Sequence, residues 1–418
     1  MRTKNITFVV KEKLCTSCGV CSVTCPRQCI TITNTTQNCI PVVDENDCTG
    51  CGLCLKACPG HGINLVEMTK QQFYQETEIK NNDYAGYYYE SMVGYSTDNN
   101  LRFHSASGGL VTSFLLYLLE KRYIDGALVL GYKDSNVFEP YSYIATTKEE
   151  ILRSRGSKYI VSSIDNALNS LKTFNGKVAI VGLPCQIQGV KKLLSFNNLI
   201  KSKIFGCFSI YCSLNKTRNS IEYYLDHYKI NKKNVAHFSF RDDGCMGFMK
   251  YTGIDGEVIK KIPYVSYWHG THSFFTNERC TVCIDHFGEL ADISFGDINI
   301  KPYNEDKIGI NSIVVRSKFW LDILNNAVDN HYIYLKHIPI EDICKSQIYA
   351  RYYKKGAGVE VNKLLRKIRG FSNPHYDYIY NGSISPFTFI KEFANLFMRI
   401  IGSHKSLWFI VHLLDRNK

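Results

Sequence analysis

The period of the apolar positions changes twice along this chain. Near the N-terminus, residues 5–10 (NITFVV) and 30–33 (ITIT) run apolar or alternate like short strands. Residues 39–43 (CIPVV) and 62–66 (GINLV) do the same after two cysteine-rich loops. From 68 to about 90 (MTKQQFYQETEIKNNDYAGYYYE) the chain turns polar and tyrosine-rich with no clean period, as a linker draped over a neighbour would. A helical period then sets in: in GLVTSFLLYLLEKR (109–122), Leu110, Val111, Phe114, Leu115, Leu118 and Leu119 share one face, and Ser107-Gly108-Gly109 opens the helix. A buried strand at 127–130 (ALVL) follows. After it come a helix at about 165–174, a strand at 177–183 (KVAIVGL), a helix from about Gln186 to Leu194, and a strand near 203–211. Strands that are apolar throughout, interleaved with helices, predict a parallel or mixed sheet covered on both faces.

The two loops carry the chemistry. Residues 15–26 read CTSCGVCSVTCP and residues 48–59 read CTGCGLCLKACP, the same CxxCxxCxxxCP pattern at an offset of 33. This is the spacing of a bacterial-type two-cluster ferredoxin, in which three close thiolates hold one cubane and the distant fourth reaches the other. The ligand sets are therefore crossed. Cys15, Cys18, Cys21 and Cys58 are expected to hold one [4Fe-4S] cluster, and Cys48, Cys51, Cys54 and Cys25 the second. Gly19 and Gly52 follow the second cysteine of each run, where a side chain would obstruct the approach of backbone to cluster. Zinc prefers four ligands in two CxxC pairs, which does not fit this count. Cys29 and Cys39 fall outside the pattern and read as buried small residues.

Length and composition narrow the rest. A chain of 418 residues, 45% hydrophobic, has room for two or three domains and a substantial core. The net charge of +12 is spread along the chain, which suits an acidic partner or phosphorylated ligand but lacks the aromatic and basic stripe of a nucleic-acid binder. The N-terminal MRTKNITFVVKEKL has no apolar core of signal-peptide length. A cytoplasmic, reducing setting is expected, in which 17 cysteines are read as thiols rather than disulfides. No apolar run reaches about 18 residues, so no membrane-spanning helix is expected.

Further cysteines gather downstream. Cys185, in GLPCQ, sits where a buried strand ends and a helix begins, the place where α/β folds bind ligands and where a helix N-terminus favours a thiolate. Cys280 and Cys283 form a CxxC pair, and Cys212 ends the strand IFGCFSIYC, with Cys207 as the alternative for its place. Cys185, Cys212, Cys280 and Cys283 are enough for a third cubane, although CxxC alone also suits zinc or a redox pair.

Five phrases in order, SASGGLVTSFLLYLLEKRYIDGALV (105–129), RGSKYIVSS (155–163), KVAIVGLPCQIQGVKKLL (177–194), FRDDGCMGF (240–248) and CTVCIDHFGELADISFGD (280–297), resemble the coenzyme F420 hydrogenase/dehydrogenase beta-subunit family. The resemblance implies an iron-sulfur flavoprotein that uses FAD to exchange a hydride with a deazaflavin or another acceptor. It also points to the same four downstream cysteines for the third cluster. No GxGxxG fingerprint is present, so the flavin site rests on the resemblance. Ser107, Gly108 and Gly109 offer amides for a pyrophosphate, and Arg155, Ser157 and Lys158 offer donors and charge. A plain helix cap and a surface loop explain the same residues. Gly296 and Asp297 are expected to line the site, and Asp242 falls in a family-like phrase. His237, His269, His272 and His286 lack metal-ligand spacing.

The expected architecture combines α+β and α/β: a small ferredoxin-like domain at 1–68, a linker at 69–90, a larger α/β domain with a mixed sheet at 91–318, and a helical C-terminal tail at 319–418. The apolar tail FTFIKEFANLFMRIIG and LWFIVHLL is read by default as packing within the chain or across a dimer, with a membrane surface as the alternative. The expected function is an oxidoreductase in which [4Fe-4S] clusters exchange electrons with FAD, and FAD exchanges hydride with coenzyme F420 or another small molecule. The alternative is an electron-transfer subunit of a larger hydrogenase, dehydrogenase or reductase complex, partnered by a redox protein.

Overall fold

The computed structural model describes residues 5–271 and 273–415. In the N-terminal region each cysteine run closes on a short helix, Val20–Thr24 and Leu53–Lys56, opened by a glycine in the left-handed region, Gly19 at φ 80° and Gly52 at φ 74°. The strands Ile30–Asn34 and Cys39–Val43 pair antiparallel between the two runs. The segment read as a strand at 5–10 is instead a helix, Thr7–Lys11. The Asn5 side chain accepts from the Thr7 amide and hydroxyl, which starts the turn, and Ile6 and Val9 are buried among the cysteines. Burial here overrides the strand propensity of the β-branched run.

The strand expected at 62–66 is shorter, Gly62–Ile63, and pairs with His375–Tyr376 from the tail. Helix Leu65–Phe73 begins at once, because the carboxylate of Asp377 accepts from the amides of Val66 and Glu67 and caps its first turn. The supposed linker is likewise ordered. It continues through that helix into a hairpin of Lys80–Asn82 with Gly86–Tyr88. Tyr84 and Ala85 are buried at the hairpin's turn, with Tyr84 packed on His286 and Phe287.

The central sheet has eight strands in the order Ile333–His337, Glu90–Ser96, Asn311–Val315, Ile293–Asp297, Ile204–Ile210, Val178–Gly182, Gly126–Lys133 and Asn136–Ala145. The run from Ile293–Asp297 through Gly126–Lys133 is parallel and the flanking pairs are antiparallel, so the sheet is mixed. Helices Leu110–Glu120 and Lys318–Asp329 cover one face through Leu110, Phe114, Trp320 and Leu324. Helices Asp165–Ser170 and Pro184–Leu194 cover the other through Leu168, Ile187 and Val190. Val20, Val23, Ala57, Ile63 and Leu65 of the N-terminal region belong to that second core, so the cysteine-rich part is packed into the larger part. A three-stranded antiparallel sheet, Val235–Asp242, Phe248–Gly253 and Val258–Pro263, holds an aromatic core of its own. The tail is helical, with Ile340–Ser346, Ile348–Lys354, Ala357–Ile368, Pro386–Ser403 and Trp408–Leu414. No helix among the described residues is long and apolar enough to cross a membrane.

Candidate functional site

Thirteen of the seventeen thiols fall into three groups. Cys15, Cys18, Cys21 and Cys58 are close enough that each ionised sulfur would repel the others. Burial first, and this repulsion second, push Cys15 and Cys21 well up and Cys58 to about 11. Four such thiols cannot all ionise unaided, and a multivalent cation centre is what would hold them as thiolates. Ser17 adds a buried hydroxyl with no hydrogen-bond partner among the described residues, as fits a sulfide-bearing group in this loop.

Cys25, Cys48, Cys51 and Cys54 line a second small cavity together with Gly50 and Gly52. Cys29 lines it too, its sulfur 3.4 Å from that of Cys25, so this buried residue adds a fifth thiol to the ring. Cys51 is exposed and opens the group to solvent.

The third group forms at the carboxyl edge of the parallel strands. Cys185 lies in the first turn of Pro184–Leu194, where Pro184 fixes the entry and the Gln186 side chain accepts from the Leu183 amide. Cys212 follows Ile204–Ile210 and its amide donates to the His286 carbonyl. Cys280 lies within the 3₁₀ turn Glu278–Val282 and Cys283 caps its C-terminal end. Cys185 meets the fields of Cys212, Cys283 and Cys280, and burial with those fields pushes it well up. Cys207, the alternative for Cys212, faces Lys191 and Asp292 inside its strand. The groups are adjoining: Cys21 feels Cys54 of the second, and Cys185 feels Cys18 of the first. Their order is second, first, third, from the exposed Cys51 inward.

Two buried cations, Lys354 and Arg279, and the half-buried Lys192 attend these groups, and none was singled out from sequence. Lys354, 1% exposed, is held charged against burial by Cys283, Cys212 and Cys280. Arg279 donates to the Pro59 carbonyl and the Tyr376 hydroxyl, while its Nε and Nη1 lack partners among the described residues and its charge acts on Cys283 and Cys185. Such orphaned donors fit an anionic group beside them. Lys192 donates to the carbonyls of Cys58 and Gly62. Arg279 was findable as the residue preceding the CxxC pair, whereas nothing local ties Lys354 to cysteines far upstream.

The residues expected around a flavin are largely engaged in packing. The Ser107 hydroxyl donates to Ile310, and a Cβ on Gly108 would stand 2.9 Å from the Asn311 nitrogen and the Gly94 oxygen. Gly109, at φ 72°, opens Leu110–Glu120, and the Leu110 amide donates to the Asn311 side chain. Lys158 donates to the carbonyls of Ser154, Arg155 and Gly156, and burial with the Arg155 charge pulls it down to about 7. Arg155 and Ser157 are half-buried in the same loop. Gly296 leaves room for the Tyr211 ring, 1.9 Å from where a Cβ would sit. Asp297 accepts from Arg241 Nη1 at 2.7 Å, and the same nitrogen donates to the Tyr159 hydroxyl at 3.2 Å. Arg241, 2% exposed and unremarked in the FRDDG phrase, thus ties the 155–159 loop to the end of Ile293–Asp297. Asp242 pairs with His104 and Lys250. His286 is buried, and burial with the Lys354 charge holds it neutral, its pKa down to about 3. His272 lies outside the described residues. A separate open groove of about 780 Å³ is walled by Tyr87, Glu289, Arg351, Tyr352, Lys355 and Tyr378, and none of the expected flavin residues lines it.

A mixed α/β fold with ferredoxin-type cysteine runs packed against it defines an iron-sulfur oxidoreductase of the electron-transferring class. Residues 91–169 match the N-terminal part of the coenzyme F420 hydrogenase/dehydrogenase beta subunit, residues 175–341 match its C-terminal part, and residues 14–62 match a 4Fe-4S dicluster domain. The chain belongs to the coenzyme F420 hydrogenase/dehydrogenase beta-subunit family. It is 27% identical over 302 residues to the coenzyme F420 hydrogenase subunit beta of Methanosarcina barkeri, covering 70% of this chain and 98% of that one. To the coenzyme F420-dependent sulfite reductase of Methanocaldococcus jannaschii it is 29% identical over 364 residues, 83% of this chain but 50% of the relative. A chain in the solved F420-reducing [NiFe] hydrogenase complex of Methanosarcina barkeri shares the fold at a TM-score of 0.53 and 24% identity, over 69% of this chain and 95% of that one.

Proposed function

We propose that this chain is an iron-sulfur flavoprotein that passes electrons between [4Fe-4S] clusters and FAD and exchanges a hydride with coenzyme F420 or another small acceptor. The observation that carries the reading is the row of three adjoining thiol groups running inward from Cys51 to the carboxyl edge of the sheet. Cys15, Cys18, Cys21 and Cys58 would hold one cluster, Cys25, Cys48, Cys51 and Cys54 another, and Cys185, Cys212, Cys280 and Cys283 a third. Clusters supply single electrons and a flavin joins these to two-electron hydride chemistry. Lys354, Arg279 and Lys192 would offset the negative charge that the thiolates bring into a dry interior. Of the residues expected around the flavin, the half-buried Arg155, Ser157 and Asp297 would reach it, with Arg241 holding Asp297 in place, while Ser107, Gly108, Gly109, Lys158 and Gly296 would set the backbone behind them. The names of the relatives favour F420 as the hydride partner.

The test is anaerobic purification followed by iron, sulfide and flavin analysis, then addition of reduced F420. About twelve iron atoms per chain, one FAD and bleaching of the flavin band are expected. About eight irons would remove the third cluster, and iron without flavin would remove the hydride reaction. The latter result would favour the second reading, an electron relay within a larger complex, which the exposure of Cys51 and the subunit status of the Methanosarcina relative support.

A further inference from the structure

We propose that helices Pro386–Ser403 and Trp408–Leu414 lay an apolar face into the headgroup layer of an anionic membrane without spanning it. Phe387, Ile390, Phe393, Phe397 and Ile400 recur at intervals of three and four residues along the first helix, and they are 41% to 74% exposed. Phe409, Leu413 and Leu414, each more than half exposed, continue the face on the second helix, and Ile379 and Ile384 precede it. The inward side of the first helix holds Thr388, Glu392, Leu396 and Gly402. Its Glu392 carboxylate is satisfied by Tyr352, Asn362 and Asn395. This inverts the usual arrangement, in which a surface helix buries its aromatic stripe and exposes its acids. An outward face of this size on a soluble surface marks a site of association.

The charge around the face selects the occupant. Between residues 379 and 414 the acid is Glu392, which is buried, while Lys391, Arg399, His404, Lys405 and His412 are basic or titratable. Lys405 is paired with Asp226, and Lys391 lies over Tyr352. Helix Ala357–Ile368, packed against the first, exposes Leu364 and Ile368 beside Lys367. Apolar side chains with basic neighbours suit an anionic lipid surface, where lysine stems lie along the apolar layer and their heads meet phosphate; within 379–414 no acid is exposed, and the exposed Asp226 beside the face is paired with Lys405. A second copy would bring the same positive charges face to face. An 18-residue helix, about 27 Å long, that carries Lys391, Glu392 and Arg399 lies along such a surface rather than through it. Docking would set the 780 Å³ groove, which shares Ile379 with this face, at the membrane boundary.

Flotation of the full-length, anaerobically purified protein with phosphatidylcholine vesicles containing about three parts in ten phosphatidylglycerol tests this. Co-flotation is expected, at least about tenfold weaker with pure phosphatidylcholine. The double substitution Phe393→Asp, Phe397→Asp is expected to cut partition by about tenfold or more while leaving iron content and helicity unchanged, since both rings face outward. Failure to float with anionic vesicles, or undiminished flotation of the double variant, would overturn the proposal. So would a concentration-dependent dimer, seen by sedimentation without lipid and abolished by the same substitutions, which would assign the face to a second copy.

Discussion

Gly19 and Gly52 occupy equivalent places in the two cysteine runs, yet their surroundings differ. Both need the left-handed region, which costs an ordinary residue about 1–2 kcal/mol. A Cβ on Gly19 would also stand 2.0 Å from Ser163 Oγ and 2.8 Å from Asp165 Cβ, whereas Gly52 has nothing within 4 Å. Gly52→Ala should therefore cost about the backbone penalty alone. Gly19→Ala should cost several times more, because it also pries the first thiol group away from the start of helix Asp165–Ser170, and thermal melts with parallel iron counts would separate the two. Equal losses would mean that Gly19 does not set this docking.

Lys354 makes a second prediction at the same scale. A buried ammonium beside Cys283, Cys212 and Cys280 favours the reduced, more negative state of any cluster they hold. Lys354→Met should lower that cluster's potential by roughly 60 mV, a tenfold shift for one electron. Lys354→Arg should restore most of it. Redox titration followed by EPR reads both, and an unchanged potential in a Met variant of full iron content would show that the ammonium only fills space.

At the scale of elements, long apolar periods were legible and short ones were not. Leu110, Phe114, Leu115 and Leu118 lie on the buried face that their spacing implies, and strands Gly126–Lys133, Val178–Gly182 and Ile204–Ile210 and helices Asp165–Ser170 and Pro184–Leu194 fall where the sequence puts them. Strand Asn136–Ala145 and helices Lys148–Arg153 and Asn198–Lys203 were not legible. The run NITFVV misled because a five-residue helix has no stability of its own and exists only through Asn5 and the burial of Ile6 and Val9. The stretch at 69–90 misled for a related reason: its order comes from Tyr84 lodging on His286 and Phe287, some 200 residues away. The start of helix Leu65–Phe73 is likewise set from afar, by Asp377. Asp377→Ala leaves the Val66 and Glu67 amides without their acceptor and should cost about 0.5–2 kcal/mol. Hydrogen exchange should show it as faster exchange confined to the first turn of that helix, and unaltered exchange there would deny the cap.

For the molecule as a whole, the question is whether the cysteine-rich region is a detachable module. Its own apolar cluster, Ile6, Val9, Leu14 and Ile30, is completed by cysteines, and a core this small needs metal to stand. Val20, Val23, Ala57, Ile63 and Leu65, however, share one core with Ile187, Val190 and Leu193 of the helix that carries Cys185. The tail closes the arrangement from outside: Arg366 donates to the carbonyl of Glu12 and to Glu278, and Arg279 reaches Pro59 and Tyr376. Stripping iron with a chelator under argon should therefore do more than loosen residues 5–66. Because thiols of the first and third groups adjoin across this shared core, amide protection should fall together in residues 15–59 and in Pro184–Leu194. The melt should stay a single transition at lower temperature. Protection lost only before residue 66, with a second transition left unmoved, would show that the N-terminal part folds and fails alone. The shared core would then contribute contact without cooperativity.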